Sequence, residues 1–383
     1  MPTWADERAE RDRREGEVVL FDKKGAAGTR VCLVYPHRYA LAMGNLGYQA
    51  VYRIFDSHPG FVCERAMLPD DGGGSMAPGT LRSLESRTPV SEFDLIAFSI
   101  SFETDYWHVV RLLRLIGIDP LARTRRGNAP PVVAGGPAVF LNPEPIAPFV
   151  DLFLIGEAEE MLPEFLDLFS ATRASPSHAA TTFCDALVNR CAAELAGAYA
   201  PEFHQPEFTG AHTRAVDHLG PGPEIVERRL VWDLNAFDTS TRVLSDEAVF
   251  GDMMLVEASR GCQWGCRFCA AGYMYRPIRT RGVEQLETAV RAGLEQRRTI
   301  GLVGAEMGSV PGVDRLSQIA ADAGGRLSPS SLKADCVTPT LAAALSQGGN
   351  RSATVAPEAG SERMRRVINK NLSEHDILRA ADL

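Results

Sequence analysis

Two stretches of this chain alternate short apolar runs with segments of helical spacing, and that alternation leaves few folds open. In the first, Val31–Tyr35, Phe61–Ala66, Asp94–Ile100, Pro131–Ala134 and Asp151–Ile155 read as strands. They are nearly continuous apolar runs, the pattern of strands covered on both faces. Between them, residues 45–57 carry Leu46, Val51 and Ile54 at helical spacing. Residues 105–117 carry Trp107, Val110, Leu112, Leu113 and Ile116 on what should be a buried face, and a further helix starts at Glu157. Strands joined by helices imply right-handed crossovers and a parallel sheet. The fold class is therefore α/β, with an N-terminal doubly wound parallel sheet over residues 30–172 whose ligands should sit at the carboxyl ends of the strands.

A second βα series occupies residues 251–383. Met254–Ala258, Thr299–Val303, Ser331–Asp335 and Ser352–Ala356 are its expected strands. Helices are expected over 282–297, 312–323, 338–347, 361–368 and 373–382. Residues 1–29 form a polar lead-in. Residues 173–250 form a connector with a helix over 181–195, a turn at Gly220–Pro223 and a lone strand at Glu227–Trp232.

Composition narrows the function classes. The 383 residues hold 40 Lys+Arg against 49 Asp+Glu, a net charge of −9, which disfavours a general nucleic-acid binder. No run approaches the ~18 apolar residues of a membrane span. The N-terminus lacks the apolar core of a signal peptide, so the cytoplasm is the expected location. Eight cysteines are too few for a disulfide scaffold of this size. Three of them, Cys262, Cys266 and Cys269, are crowded into C-x3-C-x2-C directly after the strand at 254–258. Soft thiolates at this density point to a metal centre. A closed zinc site would need a fourth donor, which Cys336 or a histidine could return in space. An iron–sulfur cluster takes thiolates as its usual ligands, and three of them on a four-iron cluster leave one iron open.

Cys262-x3-Cys266-x-Phe268-Cys269 at the end of a first core strand resembles the radical S-adenosylmethionine (SAM) superfamily. The resemblance implies that Cys262, Cys266 and Cys269 hold a [4Fe-4S] cluster whose open iron chelates SAM. The reduced cluster would cleave SAM to a 5′-deoxyadenosyl radical that abstracts hydrogen from a substrate. It makes the aromatic Phe268 part of the signature. Gly304 and Glu306 would match the turn that receives the SAM amine, with Ala305 where a second glycine is usual. Glu358 and Ser361, in Ala356-Pro-Glu-Ala-Gly-Ser361, would lie near the SAM ribose and carboxylate. A Ser-capped helix start is the local reading of the same residues. Arg260, Arg276, Arg279 and Arg281 could neutralise the cluster, contact SAM or hold an anionic substrate. Trp264 would shield the cluster.

The whole chain is similar to cobalamin-binding-domain radical SAM proteins, on Pro36–Tyr39 through Gly44–Gly47, Gly135–Pro137, Gly156–Glu159 and Arg260–Arg281. The resemblance implies a cobalamin-binding-like first domain and a partial (β/α) radical SAM barrel after it, with cobalamin as a further cofactor. Ser99, Ser101, Gly135 and Gly136 fall at strand ends where such domains contact the nucleotide tail of cobalamin. The Asp-x-His-x-x-Gly loop of His-ligated cobalamin domains is absent, since Tyr35-Pro-His37-Arg-Tyr-Ala stands in its place. Only four βα units precede Leu383, so a truncated core is expected. The implied function is a radical SAM enzyme served by a low-potential donor such as flavodoxin or ferredoxin, acting on an unknown substrate, with cobalamin-dependent methyl transfer as an extension. A non-catalytic iron–sulfur binding module and a tRNA methylthiotransferase-like enzyme are the rival readings, and the acidic charge opposes the latter.

Overall fold

The computed structural model describes residues 4–383 apart from 24, 26, 71, 73–75, 176–181, 211 and 331. Residues 1–3 of the lead-in, the expected helix start at 181 and Ser331 of an expected strand lie outside the described residues. The chain divides into two compact units, Met1–Val231 with Glu247–Val249, and Trp232–Asp246 with Phe250–Leu383.

In the first unit, β1 (Thr29–Tyr35), β2 (Phe61–Met67), β3 (Leu95–Ser99), β4 (Val132–Gly135) and β5 (Leu152–Leu154) are parallel. A short strand, β6 (Ala198–Tyr199), adds antiparallel to β5. The strand order is β2-β1-β3-β4-β5-β6. This is the flavodoxin-like order, and its switch point lies between β1 and β3. Consecutive strand residues point to opposite faces, yet Val31, Cys32, Leu95, Ile96, Leu152 and Phe153 are all fully buried. Both faces of the sheet are therefore covered, which is why the sequence reads as unbroken apolar runs. Helices α1 (Leu46–Ser57), α2 (Tyr106–Ile116), α3 (Ala158–Ala174) and α4 (Phe183–Glu194) belong to this unit. Asn45 caps α1 by accepting the Tyr48 N–H at 2.9 Å.

Three local readings change. Trp107, placed by periodicity on the buried face of α2, is 81% exposed, while its neighbours Tyr106 and Val109 are buried. Arg65 lies inside β2 and is buried, because Glu17 from the lead-in (2.6 Å) and Glu85 (2.7 Å) neutralise it. Charge burial of this kind survives only where every charge is paired. The expected strand at Glu227–Trp232 is reduced to one bridge, Gly156 to Arg229. Residues 204–218 instead form a hairpin of β7 (His204–Thr209) and β8 (His212–His218).

The second unit is built on β9 (Met253–Glu257), followed by a small antiparallel pair, β10 (Ser259–Arg260) and β11 (Arg279–Thr280). β12 (Thr299–Val303) and β13 (Arg326–Pro329) complete a three-stranded parallel sheet of order β9-β12-β13. Its helices are α5 (Val283–Leu294), α6 (Val313–Asp322), α7 (Pro339–Gln347), α8 (Glu362–Val367) and α9 (Glu374–Asp382). The third strand is therefore not 331–335. It is Arg326–Pro329, and Pro329 stands at the strand end, where its missing N–H removes nothing from the ladder. Residues 334–336 form a 3-10 turn. The expected fourth strand at 352–356 is a single parallel bridge, Leu332 to Val355. Its residues 352–354 are exposed, so no apolar face draws them into the sheet. Among the described residues no closed barrel forms.

Candidate metal centre

β9 and β12 are adjacent and in register, Glu257 opposite Val303. Their carboxyl ends therefore lie side by side, and the cysteine loop leaves one while Gly304-Ala305-Glu306 leaves the other. The cysteine loop starts at Gly261, whose φ is +86° and whose missing side chain matters. A Cβ there would lie 2.2 Å from the Tyr275 carbonyl oxygen.

The four arginines of this segment are structural struts. Arg260 makes a two-pronged contact with Glu257 at 2.9 and 2.8 Å, and Arg281 reaches the same carboxylate at 2.8 Å. Burial pushes the Glu257 carboxyl up, but the Arg260 and Arg281 guanidiniums outweigh it and hold the group below its ordinary value. Arg281 also donates to the Leu234 and Phe237 carbonyls. Arg279 donates to the Pro277 and Tyr275 carbonyls at 3.2 and 3.3 Å. Arg276 donates to the Trp264 carbonyl at 2.7 Å and stacks over Tyr273.

Cys262, Cys266 and Cys269 are free and half-buried. Burial pushes the Cys262 thiol up and the Trp264 backbone N–H pulls it down. Glu306, Cys266 and Cys269 are close enough to raise it further. The three sulfurs and Glu306 thus share one electrostatic neighbourhood. Glu306 is buried and accepts the Gly308 N–H at 2.5 Å. Cys336 Sγ lies 4.0 Å from its Oε1, and the Cys336 thiol is pushed up to about 11, first by burial and then by Asp335 and Glu306. Gly304 packs on Ser259, and a Cβ there would lie 2.4 Å from Ser259 Oγ.

A second layer backs the loop, and sequence reasoning missed it. Lys333 Nζ sits 3.7 Å from the centroid of the Trp264 ring. Asn369 donates to the Gly265 carbonyl at 2.8 Å, and the Arg267 N–H donates to the Ile368 carbonyl at 3.0 Å. Lys370 lies over the half-exposed Phe268 ring and pairs with Glu358 at 3.2 Å, which joins those two residues. Arg365 is buried and holds the carbonyls of Ala359, Gly360 and Leu372. Ser361 caps α8 by accepting the Met364 N–H at 3.3 Å. Helix α8 falls within the helix expected over 361–368, but nothing in that hydrophilic run singled out Arg365, Asn369 or Lys370.

In the first unit, Ser99 ends β3 opposite Gly135 of β4. Ser101 Oγ accepts from Tyr35 OH at 3.2 Å and from Asn45 Nδ2 at 3.0 Å. Gly136 has φ +110°, and a Cβ there would strike the Ile100 carbonyl oxygen at 2.5 Å. At the end of β1, His37 Nδ1 accepts the Arg38 N–H at 2.8 Å, and its ring lies 5.8 Å from that of His108. Burial lowers the His37 pKa, opposed by Asp105. Asp105 is itself buried, which pushes its carboxyl up against the pull of His37 and His108. These residues stand at the carboxyl ends of β1 and β3, the place where doubly wound sheets bind ligands.

A parallel α/β unit with three thiols on the loop after its first strand, preceded in sequence by a flavodoxin-like unit, defines a class of iron–sulfur protein. Residues 47–201 match the model of the N-terminal region of radical SAM proteins, and residues 256–383 match that of the radical SAM superfamily. The chain belongs to the radical SAM superfamily. It is 28% identical over 303 residues to an uncharacterised Methanocaldococcus jannaschii protein, MJ0966, covering 78% of this chain and 57% of that one. It thus spans little more than half the length of that relative. Two structures of the Kitasatospora setae radical SAM methyltransferase TsrM share its fold. One, with tryptophan substrate and a SAM analogue bound, has a TM-score of 0.56 at 14% identity, covering 93% of this chain and 66% of that one. The other, with cobalamin and a [4Fe-4S] cluster bound, has a TM-score of 0.55 at 13% identity, covering 93% and 67%.

A [4Fe-4S] cluster and SAM are the cofactors of this family, and the donor chemistry of the three thiols fits the cluster, although among the described residues no three His, Cys, Asp or Glu side chains are gathered around one metal position. Three thiols supply the usual cluster donors. Ser259 Oγ and Trp264 Nε1, on either side of Cys262 in sequence, are buried without a hydrogen-bond partner among the described residues. Buried polar atoms are normally paired, so these two favour a bound polar molecule beside the loop. Among the described residues no helix is long and apolar enough to cross a membrane.

Proposed function

We propose that this chain is a SAM-cleaving enzyme in which Cys262, Cys266 and Cys269 hold a [4Fe-4S] cluster with one iron open to SAM. The observation that carries this reading is the side-by-side carboxyl ends of β9 and β12, from which the three-thiol loop and Gly304-Ala305-Glu306 leave the sheet. When bound and reduced, the cluster supplies the electron that breaks the sulfonium carbon–sulfur bond. The chain's own residues position and shield. Arg260 and Arg281 fix Glu257 and so the start of the loop, while Arg276 and Asn369 hold its carbonyls. Trp264 covers one side with Lys333 on its face. Glu306 would offer a carboxylate to the amine of SAM, and Phe268, Gly304, Glu358 and Ser361 would contact the rest of that ligand. The electron comes from a flavodoxin- or ferredoxin-like donor in a reducing cytoplasm.

The first unit extends the proposal to cobalamin-dependent methyl transfer. Ser99 and Ser101 stand at the end of β3 at the switch point, Gly135 and Gly136 at the end of the neighbouring β4, and Phe102 and Trp107, which follow Ser101 in sequence, are 57% and 81% exposed. Flat apolar surface of that kind suits a macrocycle. Cobalamin in one TsrM structure supports the same assignment.

The test is anaerobic reconstitution, followed by iron, sulfide and corrinoid analysis and by 5′-deoxyadenosine formation with a chemical reductant. The expected result is a brown protein with equal iron and sulfide that releases 5′-deoxyadenosine, and a Cys266→Ala variant that falls to background in both. Stoichiometric zinc in a colourless protein would overturn the cluster. A loaded cluster with no corrinoid retained would remove the methyl-transfer extension alone.

A further inference from the structure

The β7–β8 hairpin carries a feature that radical chemistry does not use. His204 opens β7, His218 closes β8, and the two are directly paired across the ladder. Directly opposed residues project from the same face, so both imidazoles emerge together at the base of the hairpin. Their ring centroids are 4.9 Å apart with planes inclined by 49°. Tyr199 of β6 packs on the other side of His204 at 4.8 Å.

The ring nitrogens decide what this pair can do. His204 Nδ1 is 3.1 Å from the Ala200 carbonyl oxygen. A carbonyl only accepts, so Nδ1 carries the proton and Nε2 presents a lone pair. The Nε2 atoms of both His204 and His218 are buried, and neither has a hydrogen-bond partner among the described residues. Leaving such atoms unpaired costs about 1–3 kcal/mol each. A histidine that anchors one nitrogen to a backbone carbonyl and directs the other at nothing has the arrangement of a metal ligand with its outer-sphere partner in place.

We propose that His204 and His218 form a binding site for a divalent transition ion of the zinc class, clipping the base of the hairpin. Two imidazoles suit zinc, nickel or copper, whereas magnesium and calcium select oxygen. Among the described residues no third His, Cys, Asp or Glu closes on the pair, so water completes the coordination. The site is independent of the cysteine loop and stands whether or not the cluster reading does.

The experiment is a zinc titration by calorimetry on the full chain with its cysteine loop already loaded, so that thiols do not compete, paired with hydrogen exchange of residues 204–218. One equivalent of zinc is expected to bind and to slow exchange at the hairpin base. His204→Gln and His218→Gln should each weaken binding at least tenfold. His212→Gln, an exposed histidine at the far end of the hairpin, should change nothing. Zinc-free exchange of each variant reports whether its hairpin is intact, and either intact His→Gln variant suffices for the comparison. Equal affinity in wild type and an intact variant, or binding without protection of the hairpin, would overturn the site. No zinc binding at all, the outcome for an imidazole pair that merely shares a proton, would overturn it as well.

Discussion

The two units hold themselves together by different means. The first is an apolar sheet buried on both faces, in which Arg65 with Glu17 and Glu85 is one embedded, fully neutralised exception. The second is built on a three-stranded parallel sheet, and its distinctive loop is suspended from polar struts. Arg260 and Arg281 pin Glu257, Arg276 and Asn369 hold loop carbonyls, and Arg365 gathers the segment before α8. Apolar packing gives stability in bulk, roughly in proportion to buried area. Directional hydrogen bonds to carbonyls fix the path of a loop whose own side chains must stay free for a ligand. The difference teaches where each unit should be fragile.

The largest effect expected is at Glu257. Glu257→Gln leaves Arg260 and Arg281 partly buried without their carboxylate and should cost about 3 kcal/mol in the second unit. The sign with pH follows from the depressed Glu257 pKa. The stabilisation is full above the unfolded-state value and is lost as pH falls through the folded one. Urea melts of wild type and variant should therefore converge in acid and separate at neutral pH. Melts that differ equally at all pH values would mean that packing, not charge, supplies the strut.

Gly136→Ala probes the first unit. Its positive φ and the approach to the Ile100 carbonyl leave no room for a Cβ, so a loss of about 2 kcal/mol is expected. The comparison sharpens if iron content of the reconstituted protein is unchanged while exchange of β3 and β4 amides quickens. Unaltered exchange there would break it.

The smallest effect is at Asp105, whose carboxyl is raised first by burial. The folded state resists its ionisation, so above the folded pKa it lowers stability and in acid it does not. Asp105→Asn should raise the melting temperature by a few degrees at pH 7, roughly 1 kcal/mol, with no gain in acid. A variant less stable at pH 7 would show that His37 and His108 need the charge.

Much of this molecule was legible beforehand, and the reasons are local. β1 to β5, β9 and β12 declared themselves because strands covered on both faces must be apolar throughout. The cysteine loop declared itself because three thiols in eight residues have few other uses. The failures are equally physical. β13 lies between the expected helix at 312–323 and the expected strand at 331–335, the stretch at 352–356 had no apolar face to pair, and Trp107 is exposed on a helix whose other large apolar residues Leu112, Leu113 and Ile116 are buried. Lys333, Arg365 and Asn369 could not be singled out, since a polar residue in a polar run gains meaning only from the carbonyl or ring it meets.

The sequence by itself determined that two βα series follow one another and that a thiol trio follows the first strand of the second, the trio on which the resemblance to radical SAM proteins rests. These are properties of spacing and residue type, which the chain carries before it folds. Only the tertiary structure decided which arginines are struts, that Cys336 comes back beside Glu306, and that His204 meets His218 across a ladder. Contacts between residues far apart in the chain depend on strand register and turn geometry, and neither is written in any short stretch of sequence.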